Sequence, residues 1–139
     1  MFLPDTNVVS ELRRLRPCGA VVAWLQSVAD ADLNLSAVTL GEIQAGIELT
    51  REQDAAKAAE IEAWADQVAA AYNVLPMDAA TFRIWARLMH RRSDTLYEDA
   101  MIAATALSHD LTIVTRNVAD LEAFKVRLLN PFDPAPAAA

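Results

Sequence analysis

The chain is short of the residues that build several common kinds of site. It has one cysteine, Cys18, so no disulfide can close within it, and a reducing compartment suits it. Its two histidines, His90 and His109, lie far apart with no Cys or His at zinc-like spacing, which argues against a zinc centre. His109 suits the C-terminus of a helix instead. With three glycines there is no glycine-rich phosphate loop. No apolar run reaches the ~18 charge-free residues of a membrane span. The opening MFLPDTN lacks a signal-peptide charge pattern and reads as a mature terminus. Positive charge is also in deficit. Twelve Lys and Arg against 19 Asp and Glu leave a net charge of −7, which argues against a surface coated for phosphate but leaves room for a local basic strip. The expectation is a cytoplasmic globular domain with no membrane partner.

What is present is ample apolar material. The chain is 54% hydrophobic over 139 residues, enough for one domain with layers packed around a sheet. MFLPD reads as a short strand ending in an acid, although Pro4 donates no ladder hydrogen bond. TNVVSELRRL reads as a helix capped by Thr6 or Asn7. VVAWLQSV is a helix, and a strand lies near Leu33 to Leu35. TLGEIQAGIEL follows as a helix with Leu40, Ile43 and Ile47 on one side. Residues Gln53 to Tyr72 place Ile61, Trp64, Ala65, Val68 and Tyr72 at helical spacing. NVLPM is a strand, and Asp78 caps a helix carrying Phe82, Trp85, Leu88 and Met89. LTIVT, from Leu111 to Thr115, is a β-branched strand. RNVADLEAF is a short helix and KVRLLN a last strand. Residues 1–130 form the expected domain, and 131–139 are a Pro/Ala tail expected to be disordered at its end. Strands alternating with helices imply a helix-rich α/β fold with a mostly parallel sheet. Trp24, Trp64 and Trp85 sit on helical stripes and read as core or subunit-interface residues.

The stretch TLYEDAMIAATAL, Thr95 to Leu107, places two acids before a run with almost no charge. Thr95 and Glu98 fit a capping box, with Thr as N-cap and Glu three residues on. Asp99 is then left over, on one face with Ile102, Ala103 and Ala106. A carboxylate on a buried face is costly unless it is paired or bound to a cation.

Other acids fall in related places. Asp5 ends the first strand, Glu42 lies in the helix after the second, and Asn117 and Asp120 follow LTIVT. In an open parallel sheet the carboxyl ends of the strands share one edge, and sites form there. Each residue also has a purely structural reading: Asp5 as the cap of the following helix, Glu42 closing a capping box with Thr39, Asp120 as an exposed helix acid. Three carboxylates in one pocket repel and raise one another's pKa. A divalent cation removes the conflict, and oxygen-only ligands suit Mg²⁺ or Mn²⁺ rather than zinc.

Four segments in order, LPDTNVVSEL, SAVTLGEIQAGIE, EDAMIAATAL and LTIVTRNVADLEAF, resemble the PIN domain. The similarity covers essentially the whole chain and is closest to VapC-type (FitB-like) toxins of type II toxin–antitoxin modules. It implies a PIN-like α/β/α sandwich and a Mg²⁺-dependent endoribonuclease, with Mn²⁺ as an alternative ion, usually a homodimer held inactive by a cognate antitoxin. Residue by residue, Asp5, Glu42 and Asp99 match the catalytic, metal-binding acids, while Glu98 falls at a variable position. Thr6 and Thr115 match polar residues lining the site. The fourth position, often Asp, is Asn117 here, with Asp120 three residues on. Asn keeps an oxygen but loses a charge, which leaves one or two metal ions open. Pro4 stands where an aliphatic residue is usual.

RNA affinity beside an acidic pocket must come from nearby cations. The candidates are Arg13, Arg14 and Arg16 after the first helix, Arg91 and Arg92 before the Asp99 helix, and Arg116 beside the site. Each also reads as a solvated helix end. Two other functions compete: a Mg²⁺-dependent phosphohydrolase acting on small molecules, and a metal-free interaction module whose acids are helix caps.

Overall fold

The computed structural model describes residues 1–133, so the expected disordered end of the tail, 134–139, lies outside the described residues. Five short strands are present among them: β1 (Phe2–Pro4), β2 (Asn34–Ser36), β3 (Asn73–Leu75), β4 (Thr112–Val114) and β5 (Leu128–Leu129). Between them lie α1 (Thr6–Val9), α2 (Gly19–Ser27), α3 (Ala37–Arg51), α4 (Ala55–Ala71), α5 (Ala79–Met89), α6 (Tyr97–His109) and α7 (Val118–Leu121). Each strand pair is parallel, as the alternation of strands and helices requires. No helix among the described residues is long and apolar enough to cross a membrane.

The ladders divide into β1-β4-β5 and β2-β3, joined by one bridge between Phe2 and Leu33. Pro4 accounts for the division. Asp5 donates to Val114 and Met1 accepts from Thr112, so the odd-numbered residues of β1 bond to β4. Pro4 is one residue out of phase, and its donorless nitrogen faces β2, where the ladder stops. β1 therefore sits in mid-layer, with β2 and β3 on one side and β4 and β5 on the other. The edge beside β1 where strand order reverses is the kind of place that α/β proteins use for sites.

Helices cover both faces. Leu3 and Ile113 are fully buried against Ala100, Ile102, Ala103 and Ala106 of α6, with Trp85, Leu88 and Met89 of α5 outside them. The alanines let α6 lie close to the sheet. Successive strand residues point the other way. Phe2, Val114 and Leu129 pack with Val8 of α1, Val21 of α2 and Trp24. α3 and α4 form a helical hairpin sealed by Ile43 and Ile47 against Ile61, Ala65 and Val68, with Trp64 at its margin. The three tryptophans are thus distributed over three clusters.

Three local expectations change. α1 is capped by Asp5, which accepts from the Thr6 N–H, and not by Thr6 or Asn7. α3 is capped by Ser36, and the buried Thr39 hydroxyl has no hydrogen-bond partner among the described residues, so no capping box joins Thr39 to Glu42. Nor does Thr95 cap the Asp99 helix. A 3₁₀ turn, Asp94–Leu96, intervenes with Ser93 as its cap, and α6 begins at Tyr97 after Leu96 with no side-chain cap. Ser93 and Thr95 are both good cap formers. Ser93 prevails because its hydroxyl accepts from the Thr95 N–H. Glu98 is therefore released from its structural role.

One buried acid is structural. Glu11 is 3% exposed, and its carboxylate accepts from the Cys18 N–H at 2.9 Å and from Arg14 at 2.8 Å. The Cys18 bond is the main reason its carboxyl sits below the usual range, with Arg14 and Arg116 adding to it. It ties the Arg13–Cys18 segment to the first turn of the fold. Glu11→Ala leaves these donors unpaired and should cost about 1–3 kcal/mol in urea denaturation. An unchanged midpoint would refute this role.

Candidate active site

The carboxyl ends of β1, β2 and β4 converge on one cleft of about 400 Å³, lined by Asp5, Thr6, Asn7, Glu42, Glu98, Asp99 and Asn117. Each arrives by a simple route. β1 ends at Asp5, which then caps α1. β2 runs into α3, where Glu42 lies one turn and a half from the start. Asp99 stands in the first turn of α6, and Asn117 follows β4.

Asp5 is the buried centre, 8% exposed. One oxygen accepts the Thr6 N–H at 2.7 Å. The other accepts the buried Thr115 hydroxyl at 3.1 Å and lies 3.4 Å from the Asn7 amide nitrogen. The Asn117 N–H donates to the Thr115 hydroxyl at 3.0 Å, which fixes that hydroxyl toward Asp5. Thr6 donates to Glu42 Oε2 at 2.9 Å. Both threonines thus orient an acid. Asp120 is exposed on α7 and is not among the lining residues, yet its charge bears on Asp99.

The electrostatics are those of uncompensated acids. Burial is the main cause that pushes Asp5 up, opposed by Thr6 and Thr115, with Glu98 adding repulsion. Burial also raises Asp99, followed by repulsion from Asp5, Asp120 and Glu98. Glu42 is pushed up to about 7 from an ordinary 4.5, by burial first, with Asp5, Glu98 and Asp99 repelling it against the stabilising Thr6 bond. No described Lys or Arg forms an ion pair with any of these acids.

The donors fit a hard divalent cation, since they are all oxygen and their charges conflict without one. Among the described residues no three acids are gathered tightly enough to form a complete ligand shell. Mg²⁺ does not ask for that, because it keeps several waters and binds through one or two carboxylates. Asp5, Glu42 and Asp99, each raised by burial and by repulsion from neighbouring acids, are the residues that could hold it.

A pH dependence follows for the metal-free chain. An acid whose folded pKa is raised contributes stability below its unfolded pKa and loses it as pH rises through the folded value. For Glu42 that window runs from 4.5 to about 7, and Asp5 and Asp99 act in the same sense. The lowered acids, Glu11 among them, act below that window. In EDTA the melting temperature should therefore be higher at about pH 5.5 than at about pH 8, and Glu42→Gln should reduce the difference. Equal melting at both values would contradict the assignment.

The Arg candidates separate. Arg13, Arg14, Arg16 and Arg116 line a second cleft that adjoins the first at Asn7. Arg91 and Arg92 line neither. Arg92 donates to the Leu88 and Ala123 carbonyls and stacks 5.0 Å from the Phe124 ring centroid, holding α5 to the segment after α7. Two lining residues are not among the site residues expected from sequence. Asn7 had a signal, its place two residues after Asp5. Glu98 is visible in the sequence, but the capping-box spacing accounts for it there.

The chain is similar to known proteins over nearly its whole length. The PIN domain family matches residues 2–124. The VapC ribonuclease Y4jK of Sinorhizobium fredii is 33% identical over 97% of this chain and 100% of its own length. The toxin FitB of Neisseria gonorrhoeae is 34% identical over 95% of this chain and 99% of its own. A solved structure of FitAB bound to an IR36 DNA fragment superposes with a TM-score of 0.85 at 32% identity, over 99% of this chain and 100% of that one.

Proposed function

We propose that this chain, which belongs to the PIN domain family, is the endoribonuclease toxin of a toxin–antitoxin module. It would hydrolyse RNA phosphodiester bonds with Mg²⁺, or Mn²⁺ in its place, to leave 5′-phosphate and 3′-hydroxyl ends. The observation that carries this reading is a cleft of acids, none of them in an ion pair among the described residues, held at the switch edge of a parallel sheet. The named relatives, a VapC ribonuclease and a toxin, support the direction.

A divalent ion bound in such a cleft would polarise the phosphodiester and make water a better nucleophile near neutral pH. The chain's own residues have distinct tasks. Asp5 and Asp99 would supply the negative charge that holds the ion. Thr115 and the Thr6 N–H keep the Asp5 carboxylate in one orientation. Thr6 holds Glu42 Oε2, which leaves Oε1 to bind the ion directly, to reach it through water, or to take the proton from attacking water. That last task needs Glu42 ionised, the form that a cation held beside it would favour. Asn117 contributes an uncharged oxygen at the fourth position, and Asp120 adds field from outside.

The test is cleavage of a labelled single-stranded RNA during a Mg²⁺ titration, beside a small phosphomonoester. RNA cleavage that EDTA abolishes supports the reading. Hydrolysis of the monoester alone points to the phosphohydrolase, and neither activity to a binding module.

Two partners belong to the proposal. An antitoxin would insert an arginine among the acids, where bidentate pairing is strong; the FitAB structure supports a protein partner. A second copy of the chain would cover exposed apolar surface. Phe82 and Tyr97 are each 44% exposed and flank Trp85 in one aromatic group on α5 and α6. A two-fold dimer in light scattering is the expected result, and a monomer at micromolar concentration would remove it.

A further inference from the structure

Charge in this molecule is unevenly placed. The chain carries −7 overall. Yet the second cleft, about 740 Å³, is lined by Arg13, Arg14, Arg16, Lys57 and Arg116, with Glu11 as the one acid among its lining residues. Five of the 12 Lys and Arg are thus collected in one place, for a local charge of +4. They come from distant parts of the sequence: the turn after α1, the start of α4 and the end of β4.

The cleft is built rather than accidental. Buried Glu11 holds Arg14 at 2.8 Å, and Arg116 at 3.9 Å, while accepting the Cys18 N–H. Arg116 also lies over the Phe132 ring, 3.8 Å from its centroid. Arg13 and Arg16 are exposed, and no acid pairs with either among the described residues. Lys57 has only an exposed pair with Glu60 at 3.2 Å, a kind of pairing that is readily exchanged. So two cations are oriented and three are available. Asn7 joins this cleft to the acids: its side chain lines both, its amide nitrogen faces Asp5, and its oxygen accepts the Arg116 N–H at 3.2 Å.

We propose that this basic cleft is the track along which the RNA backbone leaves the acid cleft, its phosphates following the scissile one across Arg116, Arg14, Arg13, Arg16 and Lys57. The inference rests on the nuclease reading of the acid cleft and adds the direction of the strand. A phosphate chain set over Asp5 and Asp99 is repelled by Glu42 and Glu98, which line the same cleft, and attracted by the cationic surface that begins at Asn7. Guanidinium groups suit phosphate because their paired donors match two of its oxygens. Leu15, fully exposed between Arg14 and Arg16, offers an apolar surface to a base face. The charged groups meet phosphate, so this track gives affinity and orientation, not base identity.

The test separates binding from cleavage. The full chain, freed of any partner and kept in EDTA, is titrated into a short unstructured fluorescein-labelled RNA, and anisotropy is followed from low to high salt. Removing one phosphate-neutralising cation should reduce the salt slope by about 0.7, so Arg13→Ala/Arg16→Ala should lower it by about 1.4 and weaken binding roughly ten- to thirtyfold near 0.1 M salt. Arg83→Ala/Arg87→Ala removes the same charge from exposed positions on α5 and should leave the slope as it is. Equal effects of the two double variants, or none from Arg13→Ala/Arg16→Ala, would overturn the track. A wild-type chain that cleaves RNA in Mg²⁺ while showing that result keeps the nuclease reading and loses only this inference. A chain that neither binds nor cleaves RNA loses both. In a parallel titration with labelled poly-glutamate, loss of binding by Arg13→Ala/Arg16→Ala with its RNA binding intact would make the cleft a docking surface for an acidic protein, and would also overturn the track.

Discussion

Asp99→Asn is expected to remove metal-dependent RNA cleavage while leaving the protein folded and at least as heat-resistant as wild type when metal is absent. Two effects separate cleanly at this position. Among the described residues Asp99 accepts no side-chain hydrogen bond, and its carboxyl is raised by burial and by repulsion from Asp5, Asp120 and Glu98. An amide of the same shape removes that repulsion. It also removes charge that a divalent ion needs. Loss of an outer-shell partner already costs about 10–100-fold in metal affinity or activity, so loss of a direct ligand should exceed about 100-fold. Cleavage rates under a Mg²⁺ titration and thermal melts in EDTA read the two effects apart. An active Asp99→Asn enzyme, or an inactive one that melts well below wild type, would show that Asp99 holds structure rather than an ion.

Asp5 should behave differently, because it does both. Asp5→Ala should abolish cleavage to the same extent and also weaken the fold. It removes the cap of α1 and leaves the buried Thr115 hydroxyl without its acceptor. A lost cap costs about 0.5–2 kcal/mol, and an unsatisfied buried hydroxyl adds to it, offset in part by relief of a buried carboxylate. Asp5→Asn keeps an oxygen for the cap and should recover most of the stability but none of the activity. Denaturant unfolding of the two variants, beside the cleavage assay, gives the comparison. If Asp5→Ala and Asp5→Asn are equally stable, the capping role assigned to Asp5 is wrong.

The contrast between these acids shows what a sequence of this kind discloses. The order of strands and helices follows from periodicity, and with it the parallel sheet, since each strand is separated from the next by a crossover. The face shared by Asp99, Ile102, Ala103 and Ala106 is internal to one helix, so it is preserved although the helix begins two residues after the Thr95 cap position. That start is less legible. Ser93 and Thr95 compete for the same kind of bond, and the winner depends on a 3₁₀ turn that spacing alone does not reveal. Glu98 is hidden for the same reason. The break between the two ladders has a local cause in Pro4, but its effect depends on which edge the Pro4 nitrogen faces, which is a matter of register.

Cations are hardest to place. Arg91, Arg92 and Arg116 look alike as sequence neighbours of the site. Yet Arg92 is used between α5 and the segment after α7, whereas Arg116 lies in the basic cleft. Lys57 joins that cleft from α4, a juxtaposition made by the tertiary fold alone.

Everything proposed for the acid cleft depends on Asp5, Glu42 and Asp99 forming a cation site rather than serving merely as caps and helix acids. The decisive experiment is calorimetric titration of the partner-free chain with Mn²⁺ near neutral pH, run in two buffers of different ionisation heat. Saturable binding with release of protons is expected, because Glu42 with a pKa of about 7 is partly protonated there. Asp5→Asn/Asp99→Asn should show no such binding. Saturable binding that survives this double substitution, or a wild-type chain that takes up no Mn²⁺, would contradict the cation site.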